Sequence, residues 1–378
     1  MRLLNICLIC ILLSNCTTKD GQHINPPVVS IDPNSTAKDL DISQLVKNAQ
    51  VVRLDSRPEC SIGLFSWLVY ADSELIIYKS DKKLLIFDGR GKFQYEIDHL
   101  GKGPGEYETI SNVQYDPSKR LVYIIDYHTI KSYNLDGAFV EKYNPSFKVG
   151  GMLPYEDEGF LVPHQQVYSQ ENRGMLSICD SAFIPLTTFK SRNNQEIRNT
   201  NQNLFYTTNP YLAEGKYFYK EPFVDTLYRI ENQELIPHRI YHFNARKFNT
   251  VDGINSEAYS KAISSGKVPP IGILESDTHL FIKYQYEKSI FYSMYSGNDK
   301  TDLIFHKSEN GEESYPQFSG LKNDFHLEII EHIWPDYINV QKNQFVSIIN
   351  PDGLTDEINS ALGLHIGDNP LLIFWDLK

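Results

Sequence analysis

Cysteine is scarce in this chain, and its five positions exclude more than they offer. Cys7 and Cys10 lie in an N-terminal apolar run, Cys16 ends it, and only Cys60 and Cys179 remain for the folded part. Neither belongs to a Cys-x-x-Cys pair or to a zinc-ligand spacing, so no disulfide framework or structural zinc site is legible. Linear signatures of catalysis are missing as well: there is no His-Glu-x-x-His, no Gly-x-Ser-x-Gly and no Asp-x-Asn-x-Asp-Gly calcium loop. His238 and His242 are four apart, but they fall in a segment that reads as strand, where that spacing separates them along one face. Positive charge is also in deficit. A formal net charge of -12 argues against general nucleic-acid affinity, which needs clustered Lys and Arg to neutralise phosphates. No apolar run is long enough to span a bilayer. Catalytic, cofactor-binding and metal-ligating residues are therefore all left unassigned, and no cofactor is expected.

What is present begins at the N-terminus. Arg2 precedes the apolar run Leu3 to Leu13, a length that suits an export signal. Leu13-Ser14-Asn15-Cys16 resembles a bacterial lipobox, which implies cleavage after residue 15 and lipidation of Cys16. Lipid chains supply apolar area that a soluble domain lacks, so the domain would be tethered to the membrane and not embedded in it. Residues 16–38 carry Gly21, Pro26, Pro27 and Pro33 among polar neighbours without a sustained period, and read as a flexible tether.

Beyond the tether, Leu75-Ile76-Ile77-Tyr78 is echoed by Leu121-Val122-Tyr123-Ile124 at an offset of 46 residues. In the same way Phe87-x-x-x-Gly91-x-Phe93 is echoed by Tyr133-x-x-x-Gly137-x-Phe139. Several short strands per unit at this spacing are the sequence sign of propeller blades. With 24 Tyr and 20 Phe, the chain has the aromatic content that strands favour. Between the two copies lies Leu100-Gly101-Lys102-Gly103-Pro104-Gly105-Glu106-Tyr107. Gly101, Gly103, Pro104 and Gly105 cannot sit comfortably inside a strand, and the run reads as a structural turn between two blades. A phosphate-loop reading fails on the missing Gly-Lys-Ser/Thr ending and on the lack of a following helix signal.

Three segments together, Phe87-Asp88-x-x-Gly91-Lys92-Phe93, Gly101-x-Gly103-Pro104-Gly105-Glu106-Tyr107 and Asp116-Pro117 with Ile124-x-Asp126, resemble the six-bladed beta-propeller lipoproteins of Bacteroides and its relatives. Asp225-Thr226-Leu227-Tyr228-Arg229-Ile230 and Asp368-Asn369-Pro370-Leu371-Leu372 carry the same resemblance to the C-terminus. It implies an all-β, six-bladed propeller over residues 39–378, related in shape to NHL-type and TolB-like propellers, preceded by a signal (1–15) and a tether (16–38). No catalytic residue comes with it.

The expected blades occupy 65–97, 110–143, 152–189 and 204–243, then 271–305 after an insertion with a helix near 255–265. The sixth is assembled from 325–340, 344–349 and the last strand. Val51-Val52-Arg53-Leu54 is expected to close the ring against Leu371-Leu372-Ile373-Phe374-Trp375.

The functional reading from sequence is an extracytoplasmic, lipid-anchored binding or scaffold protein in the cell envelope. Its partners would be the membrane, through the anchor, and a glycan, a peptide or an envelope protein. The alternative is a propeller enzyme, a lyase or hydrolase acting on glycans at the central funnel. Residues from different blades would then have to converge there.

Overall fold

The computed structural model describes residues 26–32, 40–63, 66–156, 159–165, 174–190, 209–213, 215–221, 224–243, 246–248, 252, 256–268, 270–276, 278–286, 289–296, 302–307, 320–325 and 329–378. Six antiparallel sheets follow one another along the chain as the blades of a propeller. Blade 1 runs from Ser66–Ala71 to Phe93–Ile97, blade 2 from Asn112–Asp116 to Phe139–Tyr143, and blade 3 from Leu153–Tyr155 to Pro185–Lys190. Blade 4 runs from Tyr211–Ala213 to Glu234–His242 and blade 5 from Pro270–Glu275 to Asp302–Lys307. Blade 6 combines Tyr337–Asn339, Gln344–Ile349 and Leu371–Leu377 with Val46–Arg53 from the other end of the chain.

The second strand of each copy in the repeat explains why the blades stack. Leu75–Ser80 alternates its side chains between two neighbours, as a period of 2 requires. Ile76 and Tyr78 pack with Val346, Leu372 and Phe374 of blade 6, whereas Ile77 packs with Val113, Val122 and Ile124 of blade 2. Leu121–Asp126 repeats this one blade on, sending Tyr123 and Ile125 to Phe160 and Val162 of blade 3. A continuous apolar run is thus a strand buried on both faces, and each such large side chain contributes roughly 1.5–3 kcal/mol. The equivalent glycines Gly91 and Gly137 both have positive φ, 82° and 89°, in the turns that lead to the outer strands.

Closure is antiparallel, with Val51 opposite Ile373 and Arg53 opposite Leu371. Joining the two ends of the folded chain in one sheet removes the open edges that an unclosed ring would present. Helix α1 (Ser256–Ser264) follows blade 4, and α2 (Asp356–Leu362) interrupts blade 6. The latter is capped by Thr355, whose Oγ1 accepts from the Ile358 amide at 3.3 Å. Cys60 and Cys179 are both buried and free, in separate parts of the core.

Three details differ from the sequence expectation. Within the stretch read as tether, Val28–Ser30 is a fifth strand on blade 4, parallel to Ile240–His242. Val29 and Ile31 bury their side chains there against Leu227, Tyr241 and Phe243, which outweighs the loop tendency of the neighbouring prolines. The first described strand of blade 4 is Tyr211–Ala213, a segment not expected as a strand, joined through Gly215 with φ 65° to Lys216–Lys220; residues 204–206 lie outside the described ones. In blade 6, Leu321–Lys322 and His332–Ile333 form a separate ribbon, and the first strand is only Tyr337–Asn339. The expected signal, Cys16 and residues 191–203 also lie outside the described residues.

Candidate functional site: the central chamber

The first strands of blades 5, 6, 1, 2 and 3 touch in succession, and all six first strands surround a cavity of about 1130 Å³ on the ring axis. Blade 1 contributes Val69 and Tyr70, blade 2 Gln114 and Tyr115, and blade 3 Leu153 and Pro154. Opposite them stand Tyr211 and Leu212 of blade 4, Gly272 to Glu275 of blade 5 and Tyr337 to Asn339 of blade 6. Tyr70 and Tyr115 meet edge to face at 4.8 Å. The insertion after blade 4 adds Phe248 and, from α1, Tyr259, whose rings meet at 5.5 Å. A concave, largely apolar space with a few polar groups has the form of a small-ligand site.

The polar groups on this wall are tied to one another. Glu275, at the end of its strand, accepts from the Tyr211 hydroxyl on one carboxylate oxygen and pairs with the Arg239 guanidinium on the other. Burial pushes the Tyr211 phenol well up, with Tyr241 and Glu275 adding to it. Burial alone would lower the Arg239 pKa, but the Glu275 charge outweighs it and holds the guanidinium ionised. The Tyr70 hydroxyl donates to Asp72 at 2.8 Å, and the other Asp72 oxygen accepts from the amides of Glu74 and Leu75. Asn339 donates to the Ala71 carbonyl at 3.0 Å and accepts from the Lys342 amide at 3.2 Å. Gln114 donates to the Tyr115 carbonyl, and Asp116 accepts from both the amide and the hydroxyl of Ser118.

Lys220 also reaches the chamber. Burial lowers its pKa to about 8, against the opposing pull of Asp225 and Glu221. Among the described residues, no group of three His, Cys, Asp or Glu side chains is placed to hold a metal ion. Apolar and aromatic side chains make up most of the chamber wall, and Asp116, Glu156, Lys220 and Glu275 are its charged groups.

Gly101, Gly103, Pro104 and Gly105 lie away from this site, in the connection between blades 1 and 2. None of the three glycines has positive φ; what they provide is room. A Cβ on Gly101 would fall 2.0 Å from Glu106 Oε2, and one on Gly105 would meet the Phe139 ring at 2.9 Å. The Glu106 carboxylate itself accepts from the Gly103 amide at 2.8 Å, filling the place that an anion would need. Lys102 points outward to Glu108 at 3.3 Å. Asp126, from the Ile124-x-Asp126 pattern, accepts from the amides of Glu108 and Thr109 and pairs with buried Lys131 at 2.6 Å. The chamber residues themselves have no linear motif. Their one sequence signal is a charge at the edge of an apolar run, as in Arg239 before Ile240-Tyr241 and Glu275 after Ile273-Leu274.

The family model described as "Domain of unknown function (DUF4934)" matches residues 26–375. The chain belongs to the DUF4934 family. That DUF4934 span starts just before the added strand Val28–Ser30 and ends inside the closing strand Leu371–Leu377, so both belong to the family's folded unit. A protein of Bacteroides fragilis, provisionally described as exported, has a similar structure: 18% identity, TM-score 0.68, with 93% of this chain and 99% of that one covered. A member of the DUF4221 family from Bacteroides vulgatus follows, with 12% identity, TM-score 0.50 and coverage of 88% and 97%. At these identities the likeness is one of fold. No curated protein matches the chain by sequence.

Proposed function

We propose that this DUF4934 protein is an extracytoplasmic, lipid-anchored binding protein that holds its ligand in the central chamber without turning it over. One observation carries the reading. Six strands converge on a cavity of ligand size, while Glu275, Arg239, Tyr211, Tyr70 and Asn339 on or beside its wall are each engaged with another side chain or with the backbone. A general acid or base needs a free face toward its substrate, and a binding wall needs only shape and contact. A rigid closed ring also loses little order when a guest enters.

The export signal at 1–15 and the lipobox ending on Cys16 support an envelope location, with the anchor just upstream of the strand that docks on blade 4. The description of the Bacteroides fragilis relative as exported is in line with this. In this reading the Gly101 to Gly105 run is a structural turn. The test is incubation of the purified protein with panels of glycans, peptides and apolar small molecules, reading retention and product formation by mass spectrometry. Saturable retention with unchanged compounds is expected; sustained multiple-turnover products would overturn the proposal in favour of a glycan-cleaving enzyme.

A further inference from the structure

Gly272 lies on the chamber wall in the first strand of blade 5, beside an irregularity in that strand's pairing with the next. Its φ is outside the left-handed region, and a Cβ built on it meets no atom of the described residues within 4 Å. Most of the other glycines with ordinary φ contrast with it. At Gly89, Gly151 and Gly159 an added Cβ would strike another residue at 1.8, 1.9 and 2.7 Å. A glycine inside a strand costs backbone entropy and forfeits packing, and it recurs at bulges and where something else approaches the backbone closely. Here the space it leaves belongs to the cavity. On either side the wall continues with the aliphatic side chains Leu212, Leu274 and Ile338.

We infer that the chamber binds an uncharged small molecule with a hydrocarbon or aromatic body, seated against Gly272. This names the ligand class for the binding reading above and rests on that reading. The second observation behind it is that several donors of a mainly apolar wall are already engaged within the protein. Tyr211 donates to Glu275, Tyr70 to Asp72, Asn339 to Ala71 and Gln114 to Tyr115. A densely hydroxylated guest would lose its water without full replacement, and each unpaired polar group buried that way is costly. An apolar guest pays no such penalty and gains by leaving water.

The probe is N-phenyl-1-naphthylamine, an uncharged aromatic whose fluorescence rises when it leaves water. It is titrated into the chain from Pro26, which carries all six blades, and into the same chain with Gly272→Phe. The expected result is saturable fluorescence at a single equivalent for the parent. Gly272→Phe should bind at least about tenfold more weakly, with a thermal midpoint no lower than the parent's, since its ring fills open space. Gly272→Leu, a smaller plug, gives the same comparison if the phenylalanine variant does not fold. No saturable signal, or equal binding by a folded plugged variant, overturns the inference. Retention of a glycan or peptide without probe binding overturns the hydrophobic class and leaves the binding reading standing. Turnover of a panel compound overturns the binding reading itself.

Discussion

The connection between blades 1 and 2 shows how much a single residue type hides. Gly101, Gly103 and Gly105 mark a turn in the sequence by composition alone, but their reason is invisible without the Glu106 carboxylate that folds back onto the Gly103 amide. A side chain at position 101 has to displace that carboxylate, because its Cβ would lie 2.0 Å from Oε2. Gly101→Ala and Glu106→Ala should therefore each cost about 1 kcal/mol, the worth of one hydrogen bond, and the double variant should cost about the same as either alone. Denaturant midpoints of the cycle decide it. Strictly additive losses would show that the glycine serves something other than the carboxylate. Arg239 and Glu275 illustrate the opposite case. They are adjacent only because blades 4 and 5 stack, so no spacing in the chain announces the pair.

At the level of strands, legibility follows burial. Leu75–Ser80 and Leu121–Asp126 were readable because a strand sandwiched between two blades must be apolar on both faces. Tyr211–Ala213 and Tyr337–Asn339 were not, being three residues long with one face on the chamber. Val28–Ser30 was hidden by its proline-rich surroundings and is held by two buried side chains, Val29 and Ile31.

Blade 3 holds a partly buried histidine. His164 follows the strand Gly159–Pro163, stacks on Phe147 at 3.9 Å and shares a 2.8 Å hydrogen bond with Ser177. Burial lowers its pKa from 6.5 to about 4. Between those values the unfolded chain takes up a proton that the folded chain refuses. Its contribution is thus fully present above the unfolded value and is lost as pH falls toward about 4. His164→Gln, which keeps a hydrogen-bonding group, should show a flatter decline in thermal midpoint between pH 7 and pH 4 than the parent. Parallel curves would mean that the imidazole titrates as it does in water.

For the molecule as a whole, a closed propeller was legible from the 46-residue repeat and the pairing of chain ends, and the count of six came from the insertions and the family resemblance. The chamber was not, because its lining is drawn in twos and threes from every blade. The envelope location makes its own prediction. Metabolic labelling with fatty acid should mark the intact protein and fail to mark Cys16→Ala, and equal labelling of both would remove the anchor. Binding without turnover is the central claim, and it is tested most directly by a time course with a retained panel compound in large molar excess. The account predicts that bound compound levels off at a single equivalent per chain, is recovered with unchanged mass at every time point, and is excluded by Gly272→Phe. Product accumulating beyond a single equivalent would contradict it.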